Sequence, residues 1–413
     1  MPRPIRFFLI ALGMSLLLGG LLGGLSRMGV SPPQWILHNL PSGFVGQALS
    51  ALIVHHGALM IGGFLGTVIS LERAVALGRP WCFLGPLAAA AGAWLILLIQ
   101  PATIGMALIT GASAILIADY LVILHRQRVT FTLVMALGAL AWLVGNLLWL
   151  SGWELPRLMP WWGAFLVLTI VGERLELSRF VRGHPLRQPT FLGATGIYGA
   201  GLLLGLGWPG LGLAISGAGL VALAVWLGIF DTARRTVRIE GLPRFVAVAL
   251  LGGFGWLALG GVLRTLYPWQ AQAAELAWTQ RVLANGLAYD AAWHTVLLGF
   301  VMTMIFAHAP IIFPAVLGIR IRFTRWFYLH LVLLHVTLVL RIAGDLLQAP
   351  TWRTWGGVGN ATAVVLFLVM TVTSIRRMGP LAERGTEKLS PTPSRSVVQL
   401  NRHELRHAKP PEL

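Results

Sequence analysis

Apolar runs of about 20 residues recur along this chain as far as residue 375, each long enough to cross the hydrocarbon core of a bilayer. That recurrence leaves little choice of fold. In lipid every backbone N–H and C=O must find a partner inside the protein, so runs of this length fold as helices. Twelve spans are predicted, at roughly 5–25, 44–70, 81–100, 102–124, 131–151, 160–180, 190–208, 210–230, 244–265, 286–313, 324–347 and 354–375. Glycine and proline punctuate the joints, as in "LGRPW", "LIQPA" and "GWPGLG". The fold class is therefore an all-α, polytopic membrane protein.

Composition agrees: 56% of the 413 residues are hydrophobic, 11% are charged, and the mean hydropathy is +0.77. A net charge of +17 could suggest nucleic acid. The basic residues instead lie in short clusters between apolar runs, which excludes a nucleic-acid face and fits a bilayer as partner. The single cysteine, Cys82, permits no intramolecular disulfide. The first run follows Arg3 and Arg6 and precedes eleven more, so it is read as a helix and not as a cleaved leader.

Arginine sets the expected orientation. With the N-terminus inside, the inner loops and helix ends hold fifteen arginines between Arg73 and Arg325, and the outer ones only Arg27, Arg157, Arg264, Arg281 and Arg353. That bias predicts a multi-pass protein of the cell inner membrane with both termini cytoplasmic. Residues 1–377 form the expected twelve-helix domain. Residues 378–413 are polar and Pro-rich and are expected to be a disordered cytoplasmic tail. The 17 tryptophans gather near helix ends, where interfacial anchoring accounts for them.

An internal repeat is expected at a spacing of four helices. Span 2 reads "GFLGT" from Gly63, span 10 reads "GFVMT" from Gly299, and span 6 reads "AFLVL" from Ala164. Aligned on Phe64, Phe165 and Phe300, this predicts three four-helix arcs about a pseudo-threefold axis, with spans 2, 6 and 10 in equivalent places.

Six histidines lie within spans: His55, His56, His294, His308, His330 and His335. Ionisable groups in a bilayer are costly and usually face a bundle interior. At 1.5 Å per residue, His56 and His335 lie roughly 18 Å below the outer face and His294 roughly 12 Å. His308 and His330 lie within roughly 10 Å of the inner face. The outer set His55, His56, His294 and His335 is therefore the candidate cofactor site, and His308 with His330 the candidate metal pair. Neutral imidazoles on facing helices are the ligand type that clamps a haem. Glu72–Arg73 and Glu173–Arg174 are read as an ion-pair network tying the repeats together. Asp119 and Asp231 are expected to pair with arginines, and Arg341 with Asp345 at i, i+4.

Twelve spans, the repeat, His56 followed by "GALMIGGF" and His294 followed by "TVLLGF" resemble subunit I of haem-copper oxidases and nitric oxide reductases, and more closely the NnrS family. The resemblance implies a b-type haem held by His56 (or His55) and His294, a possible copper ion, a respiratory or redox membrane partner, and a role in nitric oxide or respiratory metabolism. This chain departs from the pattern in three places. Spans 6 and 7 carry no histidine, so the oxidase copper centre lacks ligands and oxygen reduction by that route is not expected. Span 10 continues as "AHAPIIFPAVLGIR" where NnrS proteins carry a basic "GHTGR"-like loop. The alternative from another class is a proton-coupled transporter for a metal ion or small solute, its histidines and Glu-Arg pairs serving alternating access.

Overall fold

The computed structural model describes residues 3–32, 42–178, 184–270 and 286–376. The expected tail from 378 and the loop histidine His38 lie outside these residues. Twelve helices among the described residues are long and apolar enough to cross a membrane. They are α1 (Arg3–Arg27), α2 (Ser42–Ala58, continuing through Leu59–Leu65 and Gly66–Leu77), α3 (Pro80–Phe83 and Leu84–Leu98) and α4 (Thr103–Arg126). The second quartet is α5 (Thr130–Leu150), α6 (Leu155–Ser178), α7 (Arg187–Gly207) and α8 (Pro209–Phe230). A one-turn helix, Ala233–Thr236, precedes α9 (Leu242–Gln270), α10 (Gly286–His294, Thr295–Met302 and Thr303–Leu317), α11 (Phe327–Leu346) and α12 (Pro350–Thr373). The protein is thus an all-α, multi-pass membrane protein. The ends of α1 and α12 that face residues 3 and 373 lie on one side, here the N-terminal side; the opposite is the far side.

Helix contacts follow the four-helix period. α1 packs on α2, α5 on α6 and α9 on α10; α3 packs on α4, α7 on α8 and α11 on α12. α4 then joins α5, α8 joins α9, and α12 returns to α1. Within this ring α6 touches both α2 and α10. Met159 of α6 approaches Gly57 of α2, and Gly163 of α6 lies against the Trp293 ring of α10. The aligned phenylalanines Phe64, Phe165 and Phe300 are all buried in the same core. Large apolar side chains such as Leu121, Leu203, Val336 and Val372 face outward on the other helices, as lipid contact requires. Trp208, Trp326 and Trp355 are exposed at helix ends, the place for interfacial anchors.

Two regular departures mark the central helices. The middle of α2, Leu59–Leu65, and of α10, Thr295–Met302, is π-helical, and Phe64 and Phe300 are each the sixth residue of that segment. Both helices also end on a left-handed glycine, Gly78 (φ +68°) and Gly318 (φ +66°), a conformation other residues adopt with strain. Beyond α10, Arg320–Ile321 pairs antiparallel with Ile375–Arg376, Arg320 opposite Arg376.

Candidate cofactor site

α1 approaches α2 on small residues. A Cβ at Gly20 would meet Met60, and one at Gly24 would come within 2.9 Å of Cε1 of His56. The His56 imidazole therefore lies flat against α1, and its Nδ1 is 2.6 Å from the Gly20 carbonyl oxygen. A carbonyl only accepts, so Nδ1 carries the ring proton and Nε2 keeps its lone pair. α10 holds His294 the same way: Nδ1 is 2.8 Å from the Asp290 carbonyl oxygen one turn earlier and 3.3 Å from Asp290 Oδ1. Donating one ring N–H to a carbonyl or carboxylate is how metal-binding histidines are usually fixed. His56 is close enough to His294, Arg27 and Arg341 to interact with their charges.

Asp290 is the hub of the far-side cluster. Its Oδ2 accepts from Arg341 Nη2 at 2.8 Å and lies 3.5 Å from Arg353 Nη2. Arg353 Nε in turn comes to 2.8 Å from Asp345 Oδ1, close in distance but not aligned as a hydrogen bond. This corrects the expected Arg341–Asp345 pair: Arg341 reaches across to α10, and Asp345 takes its close contact from α12. The network ties α10, α11 and α12 together beside His294. Asp290, four residues before His294, was not singled out in the sequence, although its i, i+4 spacing to a histidine was the available signal.

The other span histidines are placed differently. His55 points away from His56, its ring 6.0 Å from Trp149 of α5. His335 accepts the Trp256 Nε1–H on Nδ1 at 2.7 Å, which occupies its lone pair and puts its own proton on Nε2. It is thereby removed from the set of free imidazole ligands. His308 has both nitrogens engaged: Nδ1 donates to the Met304 carbonyl at 2.7 Å, and Nε2 accepts from Arg174 Nη1 at 3.3 Å. His330 is fully buried among Phe245, Phe306, Phe327 and Phe367, with neither nitrogen bonded. Among the described residues no three His, Cys, Asp or Glu side chains gather as a metal-ligand group.

On the N-terminal side Arg73 bridges Glu72 (2.9 Å) and Glu173 (2.7 Å), tying α2 to α6 as the sequence suggested. Arg174 does not pair with its neighbour Glu173; it grips Asp231 beyond α8. Asp119 departs from expectation: it is fully buried, and the side chain that faces it is the Cys82 thiol and not an arginine.

Of the outer set, then, His56 and His294 are each fixed by an Nδ1–H bond to a backbone carbonyl, and His55 and His335 lie against tryptophans. His56 and His294 sit just before the π-helical segments of their helices, and π-turns recur at functional sites. No curated protein matches the chain significantly. A family model described as "Domain of unknown function (DUF8744)" matches residues 6–376, and the chain belongs to that family.

Proposed function

We propose that this protein is a haem-binding integral membrane protein in which His56 of α2 and His294 of α10 would hold the iron. One observation carries the reading. An imidazole on each of two corresponding helices donates Nδ1–H to a backbone carbonyl, which in the neutral ring leaves the Nε2 lone pair for a metal. That donor set fits haem iron, which takes paired histidines from facing helices. Arg27 and Arg341, which lie near His56, would meet the carboxylates of a b-type haem. The bound haem would supply one-electron chemistry. The chain's own part is to fix both imidazoles, to keep Asp290 paired with Arg341, and to exclude water with α1 and the core around Phe300.

The reading includes haem and not copper, because His308 has no free nitrogen and among the described residues no further ligand-type side chains gather with it and His330. It follows the resemblance to NnrS proteins and oxidase subunit I, and with it a place in nitric oxide or respiratory metabolism beside a redox membrane partner. The arginine bias favours the cell inner membrane with both termini cytoplasmic. A transporter is the second reading, favoured by Asp119, a buried carboxyl without a basic partner of the kind proton-coupled carriers use. Optical spectra of the purified full chain separate the two. A Soret band that shifts on reduction supports the first; colourless protein after expression with ample haem ends it.

A further inference from the structure

We propose that a far-side cleft between α6, α7, α8 and α9 binds an oxyanion carried on an apolar body, with Arg264 and Arg157 as its cationic contacts. Arg264 of α9 is only 3% exposed, and it lines this cleft. Its Nη2 donates to Ser216 Oγ at 3.1 Å, while Nε and Nη1 have no acceptor. Among the described residues it forms no ion pair with a carboxylate, unlike Arg73, Arg174, Arg341 and Arg353, each of which has one. The Trp293 ring 4.4 Å from its guanidinium carbon supplies a cation–π contact but no acceptor for those two N–H groups. A buried cation without a counter-charge is strongly disfavoured, and the described residues supply none to Arg264, which points to an anion from outside the chain.

The cleft has the matching lining. It is narrow and open at its mouth, with about 30 Å³ accessible to a water-sized group. Its second cation, Arg157, is half-buried and sits 4.3 Å over the Trp153 ring. No acidic residue lines it; the remaining walls are largely apolar, with Trp161, Leu202, Leu206 and Leu213 among them. The floor is set by the close crossing of α7 and α8, where Gly201 lies against the Ser216 backbone and Gly205 against Gly212. Guanidinium groups recognise carboxylate or phosphate oxygens, and an apolar wall recognises a hydrocarbon or aromatic body. An anionic phospholipid of the far leaflet and a free phosphate both present the oxyanion, and the experiment distinguishes them. The inference stands whether or not His56 and His294 hold haem.

The test uses the purified full chain in uncharged detergent at constant ionic strength. Tryptophan fluorescence, which Trp153, Trp161 and Trp293 would report, is titrated with sodium phosphate and, separately, with phosphatidylglycerol against phosphatidylcholine. A saturable change is expected with phosphatidylglycerol at lower concentration than with phosphate, and none with phosphatidylcholine; phosphatidylglycerol binding marks a lipid headgroup, and phosphate binding without phosphatidylglycerol binding overturns the apolar body. Removing a charge-assisted contact should weaken binding by about tenfold or more in Arg264→Gln and Arg157→Gln, while Arg187→Gln on the N-terminal side leaves it unchanged. No saturable response to either anion overturns the proposal, as does equal binding by Arg264→Gln. Should Arg264→Gln fail to fold, unchanged binding by Arg157→Gln overturns it alone.

Discussion

Arg174 of α6 and Asp231, the residue that ends α8, meet through two contacts of 2.7 Å each, Nε to Oδ2 and Nη2 to Oδ1. Both side chains are buried, and Asp231 Oδ1 also accepts the Ala233 N–H that opens the short helix after α8. Arg174 further donates to His308 of α10, so one fork-shaped group holds three helices.

Breaking this pair should be severe. Arg174→Met or Asp231→Leu leaves one buried charge without its partner, a cost of about 3–5 kcal/mol. The double variant Arg174→Met/Asp231→Leu should lose less than the two singles summed. Thermal unfolding in detergent measures all three; strictly additive losses would contradict the pairing.

The histidines of α10 should separate by spectrum. His294→Ala, or His56→Ala, should abolish or shift the Soret band, because an axial imidazole is lost. His308→Ala should keep it and lower stability by about 1–2 kcal/mol for two lost hydrogen bonds. Optical difference spectra of the variants compare them directly; a bleached His308→Ala with an intact His294→Ala would reverse the assignment.

Gly24 should matter to the site without being a ligand. A methyl group there would sit 2.9 Å from Cε1 of His56 and push the ring off the Gly20 carbonyl. Gly24→Ala should shift the haem spectrum, and Gly46→Ala, with open space around it, should not. The same optical titration reads both.

Much of this was written in the apolar pattern. Twelve spans follow from run length because lipid admits few alternatives, and the aligned Phe64, Phe165 and Phe300 all lie in one buried core. The ends were less legible. The expected span began near residue 160, yet α6 begins at Leu155 and carries Pro160 inside it, where the ring removes one i→i−4 backbone hydrogen bond. Side-chain pairing was the least legible part. Arg341 chooses Asp290 on another helix over Asp345 on its own, and Trp256 takes the lone pair of His335. Such choices depend on how helices rotate against each other, which hydropathy does not encode. Arg264 in sequence was one of a few outer arginines; only its burial shows that it lacks a partner.

The crossing of α7 and α8 offers a test of the packing. A Cβ at Gly201 would collide with the Ser216 backbone, which cannot yield as a side chain does. Gly201→Ala should cost about 1–3 kcal/mol as overpacking, whereas Gly199→Ala, facing open space, should gain up to about 1 kcal/mol from helix propensity. Unfolding midpoints of the two variants should therefore move in opposite directions.

The π-helical segments of α2 and α10 make each helix one residue out of phase with itself. A residue carries about 100° of helical rotation, so removing one from Leu59–Leu65 would leave His56 facing α1 and turn Arg73 away from Glu173. In α10 the same excision from Thr295–Met302 would spare His294 and swing His308 off Arg174. Each extra residue thus acts as a phase-setter. It lets the far-side half of a helix answer to one set of neighbours and the N-terminal half to another, so the two ends can be altered independently.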